Sequence, residues 1–182
     1  MIFETENKVN TILFPSSYFS VRKVDEDLQA EFDAVSDTEL FEIVLFFYDK
    51  WFHEQKLVLN RSIKNSCTAI YRGWMMKSDM YHHFYDALQS MQIRLINTPQ
   101  EYERFHIFPN IYYQIAEDTA KMRIFPNGTE ININEAKQHF SKFMVKDYVK
   151  SVKGTAFPKY FDTFVTQAEF EEQRNVENLR NW

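Results

Sequence analysis

Apolar residues between Thr11 and Ile96 follow two alternating rhythms, short runs of strand length and longer stretches at helical spacing. Thr11 to Phe14 is a β-rich run closed by Pro15-Ser16-Ser17, which predicts a first strand ending in a loop. Val24, Leu28, Phe32 and Val35 then recur about one helical turn apart, with Asp25, Glu26 and Asp27 in the first turn, where their charge complements the helix dipole. Phe41 to Tyr48 is nearly continuous in apolar residues, as in a strand covered on both faces, and Lys56 to Leu59 has the pattern of a small edge strand. Thr68 to Tyr71 supplies the next buried strand. Met80, Phe84 and Leu88, flanked by Tyr81, Tyr85 and Met91, form a broad helical stripe, and Ile93 to Ile96 follows as another strand. This β-α-β-β-α-β order predicts an α/β protein with an open, mainly parallel sheet and crossover helices.

A second region opens at Asn97-Thr98-Pro99-Gln100-Glu101, the clearest helix start in the chain. Thr98 is placed as N-cap, Pro99 at the first helical position and Glu101 to close a capping box. The boundary between an α/β domain, residues 1–97, and a smaller α+β lobe, residues 98–182, is expected here. His106 to Ile115, with Pro109 and aromatics at neither clean period, reads as a connecting segment. Lys121 to Phe125 reads as a strand, Asn127-Gly128 as a turn, and Asn134 as the cap of a short helix through Phe140. Thr166 and Glu169 form a second capping box, opening a helix toward the end of the chain.

Composition narrows the function classes. With 182 residues the chain can bury a core without disulfides, and its single cysteine, Cys67, fits a small core residue in a reducing compartment better than a nucleophile. A net charge of -5 gives no general attraction for nucleic acid or anionic membrane. The N-terminus lacks the basic start and apolar run of a secretory signal, and no stretch is apolar enough to span a bilayer, so a cytoplasmic protein is expected. With only 3 glycines, Gly73, Gly128 and Gly154, neither a Walker loop nor a dinucleotide fingerprint can be assembled. Any nucleotide must be held by strands and side chains.

The candidate chemistry concentrates in Ser141 to Gly154. At strand spacing Phe143, Val145 and Val149 point one way, while Lys142, Met144, Lys146, Tyr148 and Lys150 point the other. Lysines so aligned repel one another unless solvent or an anion covers them. They suit either a solvated edge strand guarded against pairing or a phosphate site. Arg72, after the Thr68–Tyr71 strand and before Gly73, stands where open α/β sheets place ligand contacts, and its fork suits a carboxylate or phosphate; pairing with an acid such as Asp79 is the structural alternative. Ser16 and Ser17 end the first strand and either offer hydroxyls to the same cleft or simply make a turn. The histidines show no ligand spacing, which argues against a zinc site.

The run Phe143-Met144-Val145-Lys146-Asp147-Tyr148-Val149-Lys150-Ser151 resembles the lysine strand of ATP-grasp proteins, in the clade named for two arginines and one lysine. Ile12-Leu13-Phe14-Pro15-Ser16, Val24-Asp25-Glu26-Asp27, Ile70-Tyr71-Arg72-Gly73-Trp74-Met75 and Leu95 to Tyr102 resemble the same family, in family order. The resemblance implies a pre-ATP-grasp-like domain followed by a partial ATP-grasp lobe. It also implies ATP-dependent ligation of a small-molecule or peptide carboxylate to an amine or thiol through an acyl phosphate, with ATP and Mg2+. Lys146 matches the nucleotide-binding lysine, Lys150 is an auxiliary contact, and Arg72, Ser16 and Ser17 are substrate-side candidates. Only the N-terminal part of the family pattern is matched. Beyond Lys153 no strand pair carries the expected arginines and glutamate, so the second lobe is expected from a second polypeptide or from homodimerisation. The alternative is a non-catalytic binding protein that keeps the fold, with the aromatic segment Phe105 to Tyr113 as its surface.

Overall fold

The computed structural model describes residues 9–126, 129–145 and 160–172. It divides into two compact units between His106 and Ile107. The first takes in the helix that begins at Pro99, so it runs past the boundary expected at Asn97.

In the first unit, strands β1 (Val9–Ser17), β3 (Glu42–Phe46), β4 (Cys67–Tyr71) and β5 (Ile93–Leu95) run parallel in the order β3-β1-β4-β5, and β2 (Ser20–Val24) folds back antiparallel on the end of β1. Helices α1 (Gln29–Thr38), α2 (Tyr48–Glu54), α3 (Ser78–Ser90) and α4 (Pro99–His106) complete it. The chain steps from β1 to β3 on one side, then crosses back to β4 on the other. This reversal is the topological switch of a doubly wound sheet.

The alternation along the strands decides which helix covers which face. Ile12, Phe14, Leu45, Ile43 and Ile70 cluster with Leu28, Phe32 and Val35 beneath α1. Leu13, Val44, Phe46 and Ala69 cluster with Trp51, Phe84 and Leu88 beneath α2 and α3. Because both faces are covered, these strands need apolar residues at consecutive positions, which is why they read as runs.

Three expectations change here. Val24 belongs to β2 and not to a helix, although it packs with Leu28 as its spacing suggested. The helix proper begins at Gln29, after a short 3-10 turn, Glu26–Leu28, whose Asp27 N–H is accepted by the Asp25 side chain at 3.0 Å. Lys56 to Leu59 forms no strand, only an isolated bridge between Leu59 and Phe46. Asn60 instead closes the β3 edge, its N–H donating to the Leu45 carbonyl at 2.8 Å and its side-chain oxygen accepting the Leu45 N–H at 3.0 Å.

The second unit holds α5 (Phe108–Ile115), α6 (Ile133–His139), the antiparallel pair β6 (Lys142–Met144) and β7 (Tyr160–Asp162), and a helical stretch, 167–172. Ile133, Phe161 and Phe170 form its core, with Phe143, Val145 and Val165 against them. Phe143 and Val145 thus face inward while Lys142 and Met144 are exposed.

The expected connecting segment is helix α5. Pro109 lies in the first turn, where its missing N–H costs nothing, and Tyr112 is buried one turn after Phe108. Lys121 to Phe125 is not a strand: the Met122 N–H donates to the Tyr112 hydroxyl at 2.9 Å and Arg123 pairs with Glu135, so no ladder claims it. The cap of α6 is Asn132, whose side chain accepts the Asn134 N–H at 3.0 Å. The Asn127-Gly128 turn lies outside the described residues. Among the described residues no helix is long and apolar enough to cross a membrane.

Candidate functional site

The carboxyl ends of the parallel strands carry a group of tyrosines whose hydroxyls secure the loops above them. Tyr71, the last residue of β4, donates to the Trp74 carbonyl at 2.5 Å. Tyr81 on α3 donates to the Asn97 carbonyl just after β5, at 3.0 Å. Tyr102 on α4 accepts the Met76 N–H at 2.8 Å and donates to the Met76 carbonyl at 3.1 Å. Two loops are held by three phenols.

The capping box fixes where α4 presents its side chains. The Thr98 N–H donates to the Glu101 carboxylate at 2.8 Å, and the Glu101 N–H donates to the Thr98 hydroxyl at 3.3 Å. One turn on, Tyr102 lies flat against Tyr81, and His106 stacks on the other side of Tyr102 with ring centroids 4.6 Å apart. A cleft of about 130 Å³ opens beside this stack, lined by Tyr71 at the end of β4, Arg72 and Gly73 after it, Asn97 after β5, and Glu101, Phe105 and His106 on α4. That volume accommodates a ligand of a few heavy atoms but not a nucleotide, since drug-sized sites run to roughly 300 Å³ or more.

Electrostatics fix the protonation states. Burial, with the neighbouring phenols, pushes the Tyr71 and Tyr81 hydroxyls well up; burial, with the charge of Asp25, pushes Tyr48 up to about 12. These phenols stay neutral at physiological pH and serve as hydrogen-bonding groups, not as bases. Burial lowers the His106 pKa below its usual 6.5, and the two hydrogen bonds from Thr98 lower that of Glu101 below 4.5. The cleft therefore presents a neutral imidazole, a carboxylate and the Arg72 cation.

Arg72 lines the cleft, and its N–H donates to the Leu13 carbonyl at 2.8 Å, continuing the β4 ladder. Strand alternation turns Tyr71 toward α3 and Arg72 toward α1, where Glu31, not Asp79, receives two hydrogen bonds from its guanidinium. Ser16 is buried and donates to the Ser17 carbonyl at 3.2 Å; Ser17 donates to the Ser20 carbonyl at 3.2 Å. Both hydroxyls are spent on the β1–β2 hairpin, and neither serine lines the cleft. Lys146 and Lys150 lie outside the described residues, as do the other residues of 146–159. Among the described residues no group of three His, Cys, Asp or Glu stands close enough together to hold a metal ion.

The tyrosine stack and His106 escape sequence reasoning because their partners come from separate elements. The usable signal was the capping box: a helix starting just after a parallel strand places its first turns at the carboxyl edge, where such sheets bind ligands. No family model, curated protein or solved structure matches the chain.

Proposed function

We propose that the chain is an ATP-grasp-like protein acting in ATP-dependent ligation of a carboxylate to an amine or thiol. In that reaction a carboxylate oxygen attacks the γ-phosphorus of ATP and ADP leaves; the acceptor then attacks the acyl carbon and inorganic phosphate leaves. The observation that carries the reading is the Arg72 cleft at the carboxyl edge of a doubly wound sheet, which precedes in the chain the lysine-bearing run of the family resemblance. In this reading the cleft takes the small substrate, its size being wrong for ATP, and Lys146 contacts phosphate oxygens and offsets charge in the transition state. Among the described residues no group of three His, Cys, Asp or Glu stands together, so no residue is assigned to the metal and no step is routed through it.

Thermal-shift and calorimetric titration with ATP and magnesium test the proposal. The native chain is expected to be stabilised and Lys146→Ala not. Equal responses from the two proteins, or none, refute it. A second reading, recognition of a partner without catalysis, draws on Phe108 and Tyr113 of the second unit, which are 40% and 78% exposed. Retained partner capture by a Lys146→Ala protein with no nucleotide response would favour it.

A further inference from the structure

We infer that the fork of Arg72 is a carboxylate site which the chain fills from within, and that a small carboxylic acid with a flat, ring-bearing body displaces Glu31 from it. Glu31 shows what the site accepts: a planar carboxylate that takes one hydrogen bond from Nε and one from a terminal nitrogen of the guanidinium. Both side chains are close to half exposed, at 48% and 45%, so the pair is one that solvent and solutes can enter, and exposed pairs are weakly held. Glu31 belongs to α1 and contributes nothing to the lining of the cleft; Arg72 belongs to both. Release from Glu31 frees the cation without disturbing the β4 ladder, because the Arg72 backbone stays bonded to Leu13.

The remainder of the cleft selects the body of the ligand. Tyr71, Phe105 and His106 supply ring surface, and Phe105 is open to solvent. Glu101 repels a second negative charge, so a monoacid is favoured over a diacid. The cleft volume suits an acid of roughly benzoate size.

The inference rests on the ligase reading only for calling the bound acid the carboxylate to be activated; binding itself requires no nucleotide. The test is a titration of the whole chain with benzoate at constant ionic strength, without ATP, following the Arg72 Nε–H and the Phe105 and His106 ring signals by NMR. Benzoate is expected to move both sets. Glu31→Gln removes the internal competitor and should tighten binding about two- to fivefold, the range expected for an exposed ion pair. Arg72→Gln should weaken it about tenfold or more. Should Glu31→Gln not fold, Glu31→Asp, which shortens the reach to the fork, is expected to shift affinity in the same direction. Equal binding by the native chain and Arg72→Gln overturns the proposal, as does unchanged affinity in the Glu31 variants. So does inorganic phosphate that moves the Arg72 signal as far as benzoate. Benzoate binding without any ATP response would leave this inference standing and remove the ligase role; the reverse pattern would do the opposite.

Discussion

Tyr102 lies on Tyr81 with ring centroids 3.7 Å apart and planes within 6° of parallel, while its hydroxyl reaches past the stack to both backbone groups of Met76. One side chain therefore joins α4 to α3 and pins the loop that follows β4. The packing and the polar contact are separable. Tyr102→Phe keeps the ring and leaves the Met76 N–H and carbonyl without that partner beside a residue that is 1% exposed. It is expected to cost about 1–3 kcal/mol in urea unfolding. Tyr102→Ala also opens a cavity and should cost about 3–5 kcal/mol. Equal losses in the two variants would show that the hydroxyl contributes nothing.

Gly73 is required by what lies over it. A Cβ there would meet the Tyr71 hydroxyl oxygen at 2.7 Å and two ring carbons at 2.8 and 2.9 Å. That ring cannot easily yield, because it packs against Phe46, Tyr81 and Phe84 and its hydroxyl is tied to Trp74. Gly73→Ala is expected to destabilise by about 1–3 kcal/mol. In a double-mutant cycle with Tyr71→Leu, the smaller side chain should make room, giving a coupling of at least about 0.5 kcal/mol. Strict additivity would place the strain elsewhere.

The sheet was legible because each of its signals is local. Strands buried on both faces show as runs, β3 within Phe41–Tyr48 and β4 at Thr68–Tyr71, although the first run also hid the start of α2 at Tyr48, and the stripe Met80, Phe84, Leu88 fixes α3. Thr98 and Glu101 marked a helix start to the residue. What failed depended on partners distant in sequence. Lys121 to Phe125 has strand composition, yet its hydrogen bonds go to the Tyr112 hydroxyl and its charge to Glu135. Val24 has helical spacing but is delivered by a hairpin. The site failed for the same reason: Arg72 was correctly placed at a strand end, but nothing in the sequence joins residues 31 and 72. The acid expected beside it, Asp79, lies in the first turn of α3, where its side chain accepts the Met80 N–H at 2.8 Å.

The stability of the first unit should fall in two steps on acidification. Burial lowers the His106 pKa below 6.5, so the unfolded chain takes up that proton first as pH drops. Stability is therefore full above about pH 6.5 and declines until the folded imidazole also titrates. Glu101, held below 4.5 by Thr98, adds a second contribution that is present above pH 4.5 and is lost as pH falls through its lower folded value. Denaturant midpoints across this range should show His106→Phe removing the upper step, and Glu101→Gln the lower. A His106→Phe profile parallel to the native one would contradict the assignment.

Trp51 is 1% exposed, and its indole N–H has no hydrogen-bond partner among the described residues. It packs against Phe84 with centroids 5.2 Å apart, so its contribution is area, set against an orphaned donor. Trp51→Phe loses some of that area and relieves the donor, worth about 1–3 kcal/mol. It should stay within about 1 kcal/mol of the native chain, whereas Trp51→Ala should cost about 3–5 kcal/mol. A Trp51→Phe variant as unstable as Trp51→Ala would mean that the indole N–H is satisfied.

Gln167 does for the second unit what Tyr102 does for the first. Its side-chain oxygen accepts the Ile133 N–H at 2.9 Å, and its amide nitrogen donates to the Ile131 carbonyl at 2.9 Å and to Glu171 at 2.8 Å. One amide thus joins the helical stretch after Thr166 to the start of α6, where Ile133 is fully buried. Gln167→Leu leaves the Ile133 N–H unpaired and is expected to cost about 1–3 kcal/mol. Gln167→Glu keeps the acceptor but sets a carboxylate against the Ile131 carbonyl and Glu171, replacing two hydrogen bonds by repulsion. It should be no better than Gln167→Leu at neutral pH and should recover on acidification as the new carboxyl becomes a donor. Hydrogen exchange at the Ile133 amide reads the contact directly, and protection unchanged by either substitution would show that the N–H is held by something other than Gln167.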